Sequence, residues 1–292
     1  MFGAFLSALV GFGISEYFGI YLPALVMIPL LIVVGMIGGA FWAIVPAVLK
    51  AKRGVHEVIT TIMMNYVATT LMVFFVGDLT SPFGDKNYGS GNYSPQTPLI
   101  DESGWIPTVF GQTFSAFHWG FFLSIIVAIV LWVILWKTQL GYETRAVGHN
   151  PYAAKYGGIS VPKNLIIIML ISGALGGLGG AVEVMGYWHR FVNGFSPGYG
   201  FDGIAVALIG GNHPIGVIFG GLLFGELKSG GQVLQLKGIS KDVANTLKGM
   251  IVFFVAIPLL SKQLLNYFGY STHLSFVEKE IKKLYGLNLH RK

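Results

Sequence analysis

The 292-residue chain contains no cysteine, which removes disulfides, thiolate chemistry and cysteine-based metal sites at once. Charge is also scarce: 11% of residues are Asp, Glu, Lys or Arg, against 53% hydrophobic. A soluble chain of this length carries about twice that charged fraction and shows amphipathic periodicity, not unbroken apolar windows. There is no GxxxxGK[ST] phosphate loop, so the chain is not expected to bind and hydrolyse ATP by itself. His56-Glu57 opens like a zinc-protease motif, but Thr60 and Thr61 stand where the second histidine would be. His118, His149, His189 and His213 are scattered without ligand spacing, and no Ser, His and Asp arrangement marks a nucleophile. The expectation is no catalytic site, no metal and no cofactor.

What is present is a series of apolar runs near the ~20 residues that cross a bilayer. Candidate spans cover 2–21, 22–49, 58–76, 119–136, 164–184, a divided segment at 201–227, and 250–260. The expected fold is all-α: a polytopic transmembrane helix bundle with a broken or re-entrant helix pair and a short cytoplasmic coupling helix. The whole chain, 1–292, reads as one membrane domain. Met1 opens directly into an apolar run with no basic n-region, so no signal peptide is expected.

Charge sets the topology. Lys50, Lys52 and Arg53 follow one run, and the tail 262–292 carries six basic against two acidic residues, so both are expected inside. Between Gly77 and Gly120 the balance reverses, with Asp78, Asp85, Asp101 and Glu102 opposing Lys86, and that loop is expected outside. The net charge of +6 is therefore topological, with no nucleic-acid partner implied. Trp105, Trp119, Trp132 and Trp136 fall near inferred interfaces. Counting crossings requires 201–249 to begin and end outside, with Asn212-His213-Pro214 breaking the helix. Lys228, Lys237, Lys241 and Lys248 disagree with that placement.

Several residues invite a role. An ionisable group at mid-span costs roughly 2.5–3.5 kcal/mol on insertion scales, so it faces protein or water. On that ground Asn65, Glu183, Asn212 and His213 are substrate-pathway candidates, each with a structural alternative: an interhelical hydrogen bond, pairing with Arg190, or satisfaction of amides freed by the break. Glu226 also lies in an apolar run. The glycines from Gly173 to Gly180 sit inside a span and read as close helix packing, not as a nucleotide loop. The cytoplasmic loop 137–163 contains a short helix with its own signals: Asn150 to cap it, Pro151 for its first position, Gly157 and Gly158 to stop it. Two turns do not persist alone in water, so a partner is expected to hold them.

TRAVGHNPYAAKYGGISV, KAKRGVHEVITTIMMNY and GYGFDGIAVALIGGNHPIGVIFGGLLFGELKSGG together resemble the permease subunits of bacterial ABC importers of the ribose-permease-like class, most closely its nucleoside-import branch. The resemblance implies a multi-pass protein of the bacterial plasma membrane whose partners are ABC ATPase subunits, a second and different permease chain, and an extracellular substrate-binding lipoprotein. It assigns ATPase coupling to Arg145, Gly148, Asn150, Ala153, Ala154 and Gly157. A nucleoside is the implied cargo, with a simple sugar of the ribose or galactose type as the alternative and a gradient-driven transporter behind both. Relatives of this class carry further spans upstream and a Gly-rich NIGxEGQ-like break, absent here, so the chain is expected to be short at its N-terminus.

Overall fold

The computed structural model describes residues 1–17, 19–77, 83–85, 96–111, 117–196, 198–238, 240, 242–243 and 245–254. Asp78, Lys86, Lys241, most of the span at 250–260 and the tail 262–292 lie outside the described residues. The regular structure among the described residues is helical, with two isolated bridges, Gln96 to Val192 and Thr108 to His118, in place of any sheet. The chain divides into two compact units, Met1–Pro197 and Gly198–Lys292.

The first unit holds α1 (Phe2–Glu16), α2 (Ala24–Arg53), α3 (Glu57–Val76), α4 (Gly120–Lys137), α5 (Gln139–His149), α6 (Pro151–Tyr156) and α7 (Val161–Glu183), the last continued by a π-helical turn, Val184–Trp188. Among the described residues four stretches are long and apolar enough to cross a membrane: Ala24–Arg53, Glu57–Val76, Gly120–Lys137 and Val161–Trp188. The first run was expected to span 2–21, but α1 has 15 residues, about 22 Å of rise, which falls short of a ~30 Å hydrocarbon core.

Glycine builds the centre of this unit. A Cβ on Gly177 would lie 2.1 Å from the Gly35 carbonyl oxygen, and one on Gly39 would lie 2.2 Å from that of Gly173. Those pairings step in opposite directions along the two chains, so α2 and α7 run antiparallel with their backbones in contact. Gly3 of α1 enters the same seam, where its Cβ would meet the Gly35 oxygen at 2.3 Å. Because lipid tails are as apolar as leucine, close packing of this kind is what holds helices together in a membrane. Towards one end the seam widens into larger side chains, where Phe5, Met27, Leu31, Met72, Ile100, Met185 and Phe191 form the core.

The second unit is a helical hairpin, α8 (Tyr199–Ile209) and α9 (Pro214–Leu236), followed by helix over 245–254. A Cβ on Gly220 would meet Val206, and one on Gly216 would meet Gly210, so the two arms are antiparallel. The break falls where the sequence places it. Gly211 and Asn212 adopt left-handed backbone at φ 63 and 55, and the Asn212 and Gly211 amides donate back to Ala207 and Leu208 carbonyls in a Schellman pattern. The second arm, α9, has 23 residues and outlasts the apolar run that ends at 227, but it is not among the stretches long and apolar enough to cross a membrane. Glu226 and Lys228 end the apolar run without ending the helix, since both are good helix formers. Two of the four discordant lysines are locally accounted for: Lys248 pairs with Asp202 at 3.0 Å, and Lys228 lies over the Tyr199 ring at 3.8 Å and donates to its hydroxyl.

Candidate functional site

The helix α6 is defined at both ends by its own residues. Asn150 Oδ1 accepts from the amides of Tyr152 and Ala153 at 3.0 and 3.1 Å, and Pro151 occupies the first helical position. At the other end Gly158 takes φ 83, its amide donates to the Lys155 carbonyl, and the Ile159 amide donates to the Ala154 carbonyl. A six-residue helix thus has caps at both ends, and Ala154, 5% exposed, turns inward to anchor it. Ala153, Gly157 and Gly148 are exposed, and a Cβ on Gly148 would meet nothing within 4 Å. Tyr152 and Tyr156 are 81% and 96% exposed on one face, four residues apart. Arg145 lies back along α5, donating to the Gly141 carbonyl at 3.3 Å with its guanidinium 5.7 Å above the Trp136 ring.

The segment before α6 differs from its reading as loop. Thr138 adopts extended backbone, its hydroxyl accepts from the Gly141 amide, and α5 starts at once, giving two helices hinged at Asn150.

Sidedness follows from the antiparallel seam. The end of α2 that carries Lys50, Lys52 and Arg53 lies beside the start of α7, which α6 immediately precedes. At the far end of α7 the 96–106 segment is tied down: Thr97, Ile100 and Ile106 amides donate to the carbonyls of Phe191, His189 and Met185 at 2.9, 2.9 and 3.1 Å. That segment bears Asp101 and Glu102. The capped helix and the basic cluster therefore share one end, and the acidic segment occupies the other, as positive residues inside require.

A cavity of ≈ 290 Å3 opens among α1, α2, α3 and α7, near the lower end of ligand-pocket sizes. Its glycine wall is Gly39, Gly173, Gly176 and Gly177, and its polar groups are Thr61, Asn65 and Ser172. Phe2 stacks on Trp42 at 4.7 Å, and the Trp42 indole donates to the Met64 carbonyl at 3.2 Å, so the aromatic side is held in place. Asn65 is exposed, one turn from Thr61 on α3, whose hydroxyl bonds its own helix backbone.

The other pathway candidates lie elsewhere. Glu183 is half-buried at the last residue of α7, about 9 Å of helix rise beyond Gly177. Asn212 forms the hairpin turn, and His213 Nδ1 accepts from the Ile215 amide at 3.3 Å as the cap of α9. Sequence reasoning passed over Trp42, Thr61 and Ser172; the small residues facing each other at 39 and 173 were the available sign of space. Among the described residues no three His, Asp or Glu side chains cluster as metal ligands.

Residues 1–256 match the family described as branched-chain amino acid transport system, permease component. The chain belongs to that permease family. It is an integral membrane protein. Over 267 residues it is 38% identical to the nucleoside ABC transporter permease protein NupB of Lactococcus lactis subsp. cremoris, covering 88% of this chain and 72% of that protein. It is likewise 38% identical over 239 residues to the guanosine ABC transporter permease protein NupP of Bacillus subtilis, covering 80% and 66%. The glucose ABC transporter permease protein TsgB13 of Haloferax volcanii is 31% identical over 259 residues, covering 86% and 66%. No solved structure matches the chain. Permeases of this family are transport proteins, and this permease spans somewhat less than the whole of the relatives it matches.

Proposed function

We propose that this permease is the membrane-spanning subunit of a bacterial ABC importer for nucleosides, driven by separate ATPase subunits and supplied by an external binding protein. The single observation that carries the reading is the exposed α6 on the basic end of the membrane unit, stiffened by Asn150 at one end and Gly158 at the other. A stiff, short helix passes on the motion of an ATPase, whereas a loop would absorb it. Arg145, Gly148, Asn150, Ala153 and Gly157 then form the coupling face or hold it, Tyr152 and Tyr156 supply its apolar contacts, and Ala154 joins it to the membrane unit.

The cavity fits cargo of the nucleoside kind. Trp42 and Phe2 offer ring faces, while Thr61, Asn65 and Ser172 offer donors and acceptors. NupB and NupP, named for nucleosides and guanosine, are each 38% identical to this chain against 31% for the relative named for glucose, which favours a nucleoside over a sugar. The permease itself carries out no covalent step. A second permease chain completes the pathway in this reading.

Uptake of radiolabelled nucleosides by cells expressing the complete system tests it. Uptake should survive a protonophore while ATP is maintained, and Asn65→Leu should lower it severalfold with the assembled complex unchanged in amount. Uptake abolished by the protonophore at constant ATP would sink the reading.

A further inference from the structure

A second cleft, of ≈ 500 Å3, lies at the opposite end of α7 from α6, between Gln96 and the 188–195 turn. Two polar atoms there are buried and have no hydrogen-bond partner among the described residues: Gln96 Nε2 and Asn193 Oδ1. Gln96 is 8% exposed, and its backbone is fixed by the bridge to Val192 and by the Asp85 amide donating to its carbonyl at 3.0 Å. A buried donor and a buried acceptor left unmatched are costly, and native structures retain such atoms where something else completes them.

We propose that this cleft is a separate solute site on the outer face, taking an uncharged, flat-ring solute that presents both a hydrogen-bond donor and an acceptor. An amide that turns over offers its oxygen in place of its nitrogen, so the ligand needs both kinds of group either way. Trp188, 37% exposed, supplies a face for a ring, and Val192 and Phe195 supply apolar wall. Arg190 also lines the cleft, but Asp85 stands 3.7 Å from its guanidinium and offsets the charge, which favours a neutral ligand over an anion. A nucleobase has this chemistry. The site would be the first stop for solute released at the outer face, and in that respect it rests on the nucleoside reading above.

Equilibrium binding of radiolabelled nucleoside to the assembled permease–ATPase complex in nanodiscs, without binding protein, tests the cleft directly. Gln96→Met and Asn193→Leu should each raise Kd about tenfold, while ATP hydrolysis by the complex stays within about twofold of the parent. If either variant fails to assemble, Trp188→Leu, at a partly exposed position, carries the same expectation. A Kd within about twofold of the parent in every variant that assembles, as water filling the cleft would give, overturns the proposal. So does weakened affinity for the binding protein with solute Kd unchanged, which would assign the cleft to a docked protein. If the parent complex binds and transports a different solute and no nucleoside, the nucleoside reading fails separately, and the same variants are scored with that solute.

Discussion

Replacing Gly177 by alanine adds a single methyl group to the α2–α7 seam, and the geometry fixes what it meets. The new carbon would lie 2.1 Å from the Gly35 oxygen and 3.0 Å from the Gly39 Cα, both backbone atoms that cannot rotate away. Ordinary contact begins near 3.4 Å, so the helices must part by about 1.3 Å locally. A gap of 0.5–1 Å already forfeits a quarter to a half of each dispersion contact it opens. In lipid no hydrophobic force between helices compensates for that loss. The expected cost is about 1–3 kcal/mol, towards the upper end because backbone stands on both sides. At about 2–4 °C per kcal/mol for a unit of this size, the unfolding midpoint in detergent should fall by about 5–10 °C. Gly179→Ala is the matched control: it lies two residues along the same helix, its Cβ would meet nothing within 4 Å, and it gains helix propensity. Thermal unfolding of both variants, followed by loss of the monodisperse chromatographic peak, decides the matter. Equal midpoints for Gly177→Ala and Gly179→Ala would refute the claim that backbone contact organises this unit.

Asn150→Ala orphans the Tyr152 and Ala153 amides and should cost about 1 kcal/mol locally, so ATP hydrolysis should continue while uptake per ATP falls; uptake and hydrolysis falling in parallel would count against a stiff coupling element. His118 and His189 are both held below the usual histidine pKa by desolvation, and for His189 the positive charge of Arg190 and of His118 when protonated adds to it. The opened 96–106 segment therefore binds protons more readily than the closed one, and closure strengthens as pH rises and is lost as pH falls below about 6.5. The protection factors of the Ile100 and Ile106 amides, taken against the intrinsic exchange rate at each pH, should fall on acidification through that window, and less steeply in His189→Asn, which suits the left-handed backbone at φ 54; identical protection-versus-pH profiles would contradict the assignment.

Chemistry local to a few residues was legible before any coordinates. Asn150-Pro151 and Gly157-Gly158 bracket α6 because capping involves atoms within four residues of one another. Asn212-His213-Pro214 breaks the hairpin for the same reason. Reading the end of a helix from the end of its apolar run worked less well, since apolarity reports the environment and not the backbone: α9 runs on through Glu226 and Lys228, and α5 begins where a loop was expected. Asn65 reached the cavity wall, but its companions Trp42 and Ser172 come from α2 and α7, and no spacing in the sequence joins them.

The sequence by itself determined that the chain lives in lipid, which end of its main membrane unit carries positive charge, and where the short helix α6 starts and stops, because each of these depends on composition or on near neighbours. Only the tertiary structure decided that Gly35 faces Gly177 and Gly39 faces Gly173, that the resulting seam leaves room beside Asn65, and that Gln96 meets the 188–195 turn across an outer cleft. Those outcomes depend on the register between helices far apart in the chain, and register is set by which backbones approach closely enough to exclude everything else.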